Sequence, residues 1–207
     1  LFETNSRMGI FGGLAGALLA LVVGAVKARF SRWQWLLVAI GLVGGGVWLA
    51  PQLGSGVLDR LLVVEGALES RLVLYDQVLT MIASYPWTGV GGGAFEWAFP
   101  LFHQPPLSAS YVWDKAHSTY LALWAELGIL GGTLPILMFL VLGARAARNA
   151  LWSGDRWAPG LAAVAGLVVV ALHSLVDFSL EIPANAFFIL AILVAGAAPL
   201  RDKRRVA

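Results

Sequence analysis

The chain has 207 residues, 59% of them hydrophobic and only 13% charged, and its mean hydropathy is +0.79. Soluble domains of this size are about 45–50% apolar and about 25% charged, so an ordinary water-soluble globule is excluded and an all-α membrane protein is expected. No cysteine is present, which removes disulfides and thiolate metal sites. The basic balance follows the clips between apolar runs and does not point to nucleic acid.

Residues 1–7 are polar and end in the N-cap-like pair Asn5/Ser6. The chain opens Leu-Phe-Glu without the basic, apolar, small-residue order of a signal peptide. It is expected to be the C-terminal part of a longer protein, lacking further N-terminal helices with which it would share its site. Five spans are expected in one membrane domain over 1–207, at about 8–26, 33–50, 117–142, 157–175 and 185–199. The first is rich in Gly and Ala, which suits close helix packing in lipid. The second opens on the interfacial anchors Trp33 and Trp35 and ends at Pro51.

Charge sets the expected orientation. Lys27, Arg29 and Arg32, then Arg145, Arg148 and Arg156, then the RDKRR tail hold ten of the 14 Lys and Arg, against only Asp155 and Asp202 as acids. The positive-inside rule places these groups in the cytoplasm. The N-terminal end, the 51–116 segment and the 173–184 connection are then periplasmic, and the C-terminus is cytoplasmic, in a bacterial inner membrane.

Within 51–116, residues 66–84 read as an amphipathic helix. Leu74, Val78, Met81, Ile82 and Tyr85 form its apolar stripe, and Glu69, Asp76, Thr80 and Ser84 lie opposite. Arg71 falls within the stripe. An unpaired charge there is costly, so it either pairs with Glu69 or Asp76 or holds an anion, for which a planar guanidinium suits phosphate. The PWTGVGGGAF turn lacks the Lys-Ser/Thr of a P-loop and reads as structural.

The stretch Ala116–Gly132 carries a histidine at the mouth of a long apolar run. At 100° per residue, His117, Leu121, Trp124, Gly128 and Gly131 share one side of a helix, and Glu126 points the other way. His117 is either a catalytic base, with an ordinary pKa near 6.5 suited to proton transfer, or an interfacial helix cap. Glu126 is mid-span and expected to face a neighbouring helix or a polar cavity. Arg7, at the start of the first span, is either a snorkelling cap or an anion ligand. His173, Asp177 and Glu181 invite a metal reading, but polar helix ends near water are the simpler one. His103 is assigned no role.

Three ordered motifs extend this reading. They are T-x-S-R before the first span, R-x-x-x-Y-x-x-x-x-x-M-I-x-x-Y-P-x-x-G-V-G from Arg71 to Gly91, and H-S-x9-G-x-x-G from His117 to Gly131. The later HSLVDFSLEIP segment completes the pattern. Together they resemble the O-antigen ligase and polymerase superfamily of bacterial membrane glycosyltransferases. The resemblance implies a GT-C-like fold, present in part. It also implies a metal-independent, inverting transferase without cofactor, which moves a glycan from an undecaprenyl-diphosphate carrier to a lipid A-core or growing-glycan acceptor among membrane lipids. By motif position, His117 matches the essential histidine, and Arg71 and Arg7 match the arginines that hold the diphosphate. Tyr75 and Glu126 are secondary candidates. The alternative function is a transporter or flippase for a lipid-linked or anionic solute. That would require polar groups along several spans, where Glu126 stands almost alone.

Overall fold

The computed structural model describes residues 7–41, 44, 57–153 and 157–199, with side chains described from residue 13 in the first of these stretches and from residue 69 in the third. The chain is helical, with no strand among the described residues. The helices are α1 (Arg7–Lys27), α2 (32–41), α3 (Val57–Ser84), the short α4 (Phe95–Ala98), α5 (Thr119–Trp152), α6 (Ala158–His173) and α7 (Pro183–Ala197). Two 3-10 turns, Phe99–Leu101 and Ser179–Glu181, follow α4 and precede α7.

Helix α6 is the hub of a bundle. It packs against α1, α5 and α7, and α7 also packs on α5. Small residues let these helices approach. A Cβ on Gly16 of α1 would strike Val169 of α6, and one on Gly160 would lie 2.5 Å from the Ala146 carbonyl of α5. The buried centre is correspondingly slim: Ala146, Ala163, Ile189 and Leu193. Lipid tails are as apolar as leucine, so close backbone contact rather than hydrophobic exclusion holds such helices together. The outward faces are large and apolar, among them Leu14, Leu18, Leu130, Leu134, Phe187 and Phe188.

Among the described residues, α5 is the one helix long and apolar enough to cross a membrane unaided. Shorter apolar helices run over Gly13–Lys27, Ala158–His173 and Pro183–Ala197. The expected second span appears as helix over 32–41, and its stretch from 45 to 50 lies outside the described residues. The third helix runs ten residues beyond its expected end at 142 and carries Arg145 and Arg148 on its last turns. The helix expected over 66–84 begins earlier, at Val57.

The two ends of the bundle differ. At one, Lys27 Nζ donates to the Leu151 carbonyl (2.7 Å) and Asn149 Nδ2 donates to the Gly196 carbonyl (2.8 Å). Lys27, Arg145 and Arg148 thus share this basic end. At the other end, α3, α4 and the loops between them form a cap on the first turns of α5. The cap has a core of its own, built from Leu74, Val78, Met81 and Ile82 of α3 with Phe95, Phe99 and Leu107. These four α3 residues are the stripe read from the sequence. Tyr85 is instead about half exposed and meets Phe102 edge-on. Gln77, not singled out from the sequence, is buried, and its amide closes two bonds with the Gln104 backbone (2.7 and 3.1 Å).

Candidate active site

Helix α5 is broken, and the break positions the site. Gly128 has φ 71 and ψ 168, outside helical geometry. The loop Pro86–Gly91 is inserted at this point. The Val90 and Gly91 amides donate to the Ala125 and Glu126 carbonyls (both 2.9 Å), and the Ile129 amide donates to the Pro86 carbonyl (2.8 Å). Backbone groups freed by the break are therefore re-paired by the loop, as burial requires. Gly128 must be glycine twice over. Its φ is positive, and a Cβ would strike the Trp87 carbonyl.

This corrects one sequence expectation and specifies another. His117, Trp124, Gly128 and Gly131 do not share one face of a continuous helix, because α5 starts after His117 and loses its phase at Gly128. Glu126, expected to face a neighbouring helix or a polar cavity, does meet a helix, the short α4, but at its N-terminal amide and through the glycine loop before it. Its carboxylate accepts from the Gly93 amide (2.8 Å) and the Phe95 amide (3.2 Å), pinning the glycine loop and the start of α4. A carboxylate on free amide donors needs no further role.

His117 lies just ahead of α5 with φ 51. A left-handed non-glycine residue costs about 1–3 kcal/mol and persists only where its surroundings impose it. Here they do. The Tyr75 hydroxyl of α3 donates to the His117 carbonyl (2.8 Å), and the imidazole meets the Phe178 ring edge-on at 5.7 Å. The next residue but one is anchored as well. The Thr119 amide donates to the Ser174 and Asp177 carbonyls (3.0 and 3.2 Å), and its hydroxyl donates to Asp177 (3.1 Å). Lys115 pairs with Glu181 at 3.0 Å on the other side. The histidine is held between α3 and the α6–α7 connection.

Burial pushes the His117 pKa down from its ordinary value, and the Arg71 guanidinium adds to that. The carboxylates of Asp177 and Asp114 pull the other way. The imidazole is thus favoured as the neutral base at pH 7. Burial raises the Tyr75 pKa, which keeps its hydroxyl a donor, although Arg71 opposes the shift. Arg71 itself is partly buried and makes no ion pair among the described residues, so the pairing with Glu69 or Asp76 considered from the sequence is not seen.

The fold thus brings Arg71, Tyr75 and His117 into one electrostatic neighbourhood. Glu126 is engaged with the glycine loop, and the Arg7 side chain lies outside the described residues. Sequence reasoning passed over Asp177 as a neighbour of His117. Its carboxylate accepts from the Ser179 hydroxyl (2.7 Å), whose oxygen is also 2.9 Å from His173 Nδ1. Glu181 binds Lys115 instead, so the three candidate ligands of the 173–184 connection are divided between two partners. The available signal is the His173–Asp177 spacing of one helical turn, which suits both a ligand set and polar helix ends near water.

A helical bundle with an apolar exterior is thus capped at one end around His117, with Arg71 nearby in no ion pair among the described residues. The family described as O-antigen ligase matches residues 1–136, from α1 through the break in α5, and the chain belongs to that family. No curated protein matches the chain. Membership makes it an enzyme of O-antigen ligase- or polymerase-like glycan transfer, acting in polysaccharide biosynthesis at a membrane.

Proposed function

We propose that the protein transfers a glycan from an undecaprenyl-diphosphate carrier to an acceptor hydroxyl at the periplasmic face of the inner membrane, with five spans and a cytoplasmic C-terminus. The observation that carries this reading is the partly buried His117, fixed by the Tyr75 hydroxyl at the junction of cap and bundle, with Arg71 in no ion pair among the described residues and acting on it electrostatically. The bond from the sugar C1 to the diphosphate oxygen breaks as the acceptor oxygen bonds to C1. His117 takes the acceptor proton, and the departing diphosphate carries away the bonding pair. Arg71, with Arg7, neutralises the charge that develops on it. A single in-line displacement inverts C1. The guanidiniums supply the positive charge at the leaving group, so the step requires no metal. Tyr75 is a positioning residue, acting through the His117 carbonyl.

An apolar cleft of about 410 Å³ opens beside Thr119 and Tyr120, lined further by Leu123, Phe139 and Leu167. Its chemistry suits an isoprenoid chain whose diphosphate reaches the histidine end. Lipid A-core and a growing glycan both offer the hydroxyl that the reaction needs.

The test is His117→Ala in the complete protein, returned to cells lacking their own copy. Surface glycan attachment is expected to fall by about 10²–10⁴-fold with membrane insertion unchanged. Normal attachment would overturn the catalytic assignment. Purified protein should transfer glycan from a diphosphate-linked donor in detergent. Lipid movement without transfer would favour a flippase instead.

A further inference from the structure

The segment from α4 to α5 encloses a second recess in the cap, about 240 Å³ in volume, which includes neither His117 nor Arg71. Phe99, almost fully buried, and Trp113, partly buried, line it together with Tyr111, which is 71% exposed. Two polar side chains, Glu96 and His103, complete the recess.

Each of these groups has something left to offer. Trp113 spends its indole N–H on the Ser108 carbonyl (3.0 Å), so its ring remains for a ligand. His103 packs edge-on against Phe99, and its imidazole forms part of the lining of the recess. Glu96 is exposed and forms no ion pair among the described residues.

Ligand classes can be sorted against this lining. A wholly apolar ligand would desolvate Glu96 without offering it a donor. An anion would meet a carboxylate with no Lys or Arg among the lining residues. A pyranose ring satisfies both halves, because its C–H face lies on aromatic carbon and its hydroxyls bond to a carboxylate and an imidazole. Convergent polar groups in an aromatic pocket are the usual form of a small-ligand site. We infer that this recess is a saccharide subsite, holding one sugar unit of a glycan that the enzyme handles. The inference rests on the proposed glycan transfer. Trp113 stands four residues before His117 in the chain, so the recess adjoins the segment that carries the histidine.

The donor glycan and the acceptor glycan share this chemistry, and the experiment separates them. Oligosaccharide is released from the host's lipopolysaccharide by mild acid and divided into core and O-chain fractions. Each is titrated into the complete protein in nanodiscs by calorimetry and saturation-transfer NMR. Wild type is expected to bind one fraction, and that fraction names the source. Tyr111→Ala and Glu96→Gln, both at exposed side chains, should weaken binding by about three- to ten-fold. The KM for the same glycan should rise by a similar factor with kcat unchanged. Binding of neither fraction by wild type, or wild-type binding by both variants, overturns the subsite. His117→Ala should keep this binding while losing transfer. If His117→Ala transfers normally, the catalytic reading fails while the subsite is still decided by the titration.

Discussion

The cap and the bundle solve the same packing problem with opposite materials. The cap buries large side chains, with Phe99, Leu74, Met81 and Val78 among the most completely enclosed. The bundle brings backbones together on Gly16, Gly160 and Gly196 and buries two alanines with Ile189 and Leu193. The difference follows the solvent. Excluding water rewards buried apolar area, which suits a cap in an aqueous compartment. In lipid that reward vanishes, and close contact must be bought with small residues. The proposed chemistry sits at the junction, where the end of the bundle presents His117 and the cap brings Arg71 and Tyr75 toward it. The junction has its own fastening in the broken turn at Gly128.

The strongest way to break this division is at the fastening. Gly128→Ala combines a forbidden backbone conformation with a collision against the Trp87 carbonyl. It is expected to destabilise the protein by about 2–4 kcal/mol and to abolish transfer, because the loop that seats the cap loses its slot. Thermal unfolding in detergent, with limited proteolysis of residues 85–95, reads both effects. Wild-type melting would show that the cap does not depend on the break.

A bundle lesion should behave differently. In Gly160→Val the new side chain begins 2.5 Å from the Ala146 carbonyl and 2.6 Å from the Ala150 amide nitrogen. Forcing α5 and α6 apart is expected to cost about 1–3 kcal/mol while the site keeps its chemistry. Residual folded enzyme should show an unchanged KM. A selective rise in KM would mean that the site is not insulated from the bundle.

Tyr75→Phe probes the junction more gently. It removes the bond to the His117 carbonyl and a longer one to the Leu175 carbonyl (3.3 Å). The expected cost is about 1 kcal/mol of stability, with kcat lowered and KM held, since the histidine loses its fixing contact. Equal kcat values would remove Tyr75 from any positioning role.

The sequence made the apolar stripe of α3 legible because every member sits at helical spacing and all but Tyr85 face the core. The helices α1, α6 and α7 were legible from apolar length alone. His117 stood out because a titratable residue marked the edge of an apolar run. The break in α5 was hidden because glycine in a membrane helix reads equally as a packing notch. Only the partner loop, more than thirty residues earlier in the chain at Pro86–Gly91, distinguishes the two. The particular helix and loop that Glu126 meets were hidden for the same reason. Its partners are backbone amides, which carry no residue-type signature. The neighbourhood of Asp177 and His117 depends on how α6 returns to the start of α5, a tertiary relation that spacing does not encode.

The smallest expected effect concerns protonation, and its direction separates the two charges at the junction. His117 has its pKa lowered in the folded protein, first by burial and then by Arg71, from an ordinary value of about 6.5 in the unfolded chain. Its contribution to stability is therefore complete above about pH 6.5 and is lost as pH falls through the lowered folded value, because the unfolded chain takes up the proton first. The base form, and with it transfer, should persist somewhat below pH 6.5. Arg71→Gln removes a cation and should move the His117 titration upward, though not fully to the ordinary value, since burial is the larger cause. Asp177→Asn removes a stabilising anion and should move it downward. Carbethoxylation of His117 against pH, followed by peptide mass spectrometry, reads these shifts even where transfer is lost. Shifts of the same sign in both variants would place Arg71 or Asp177 outside the field of the histidine and would undo the junction as an electrostatic unit.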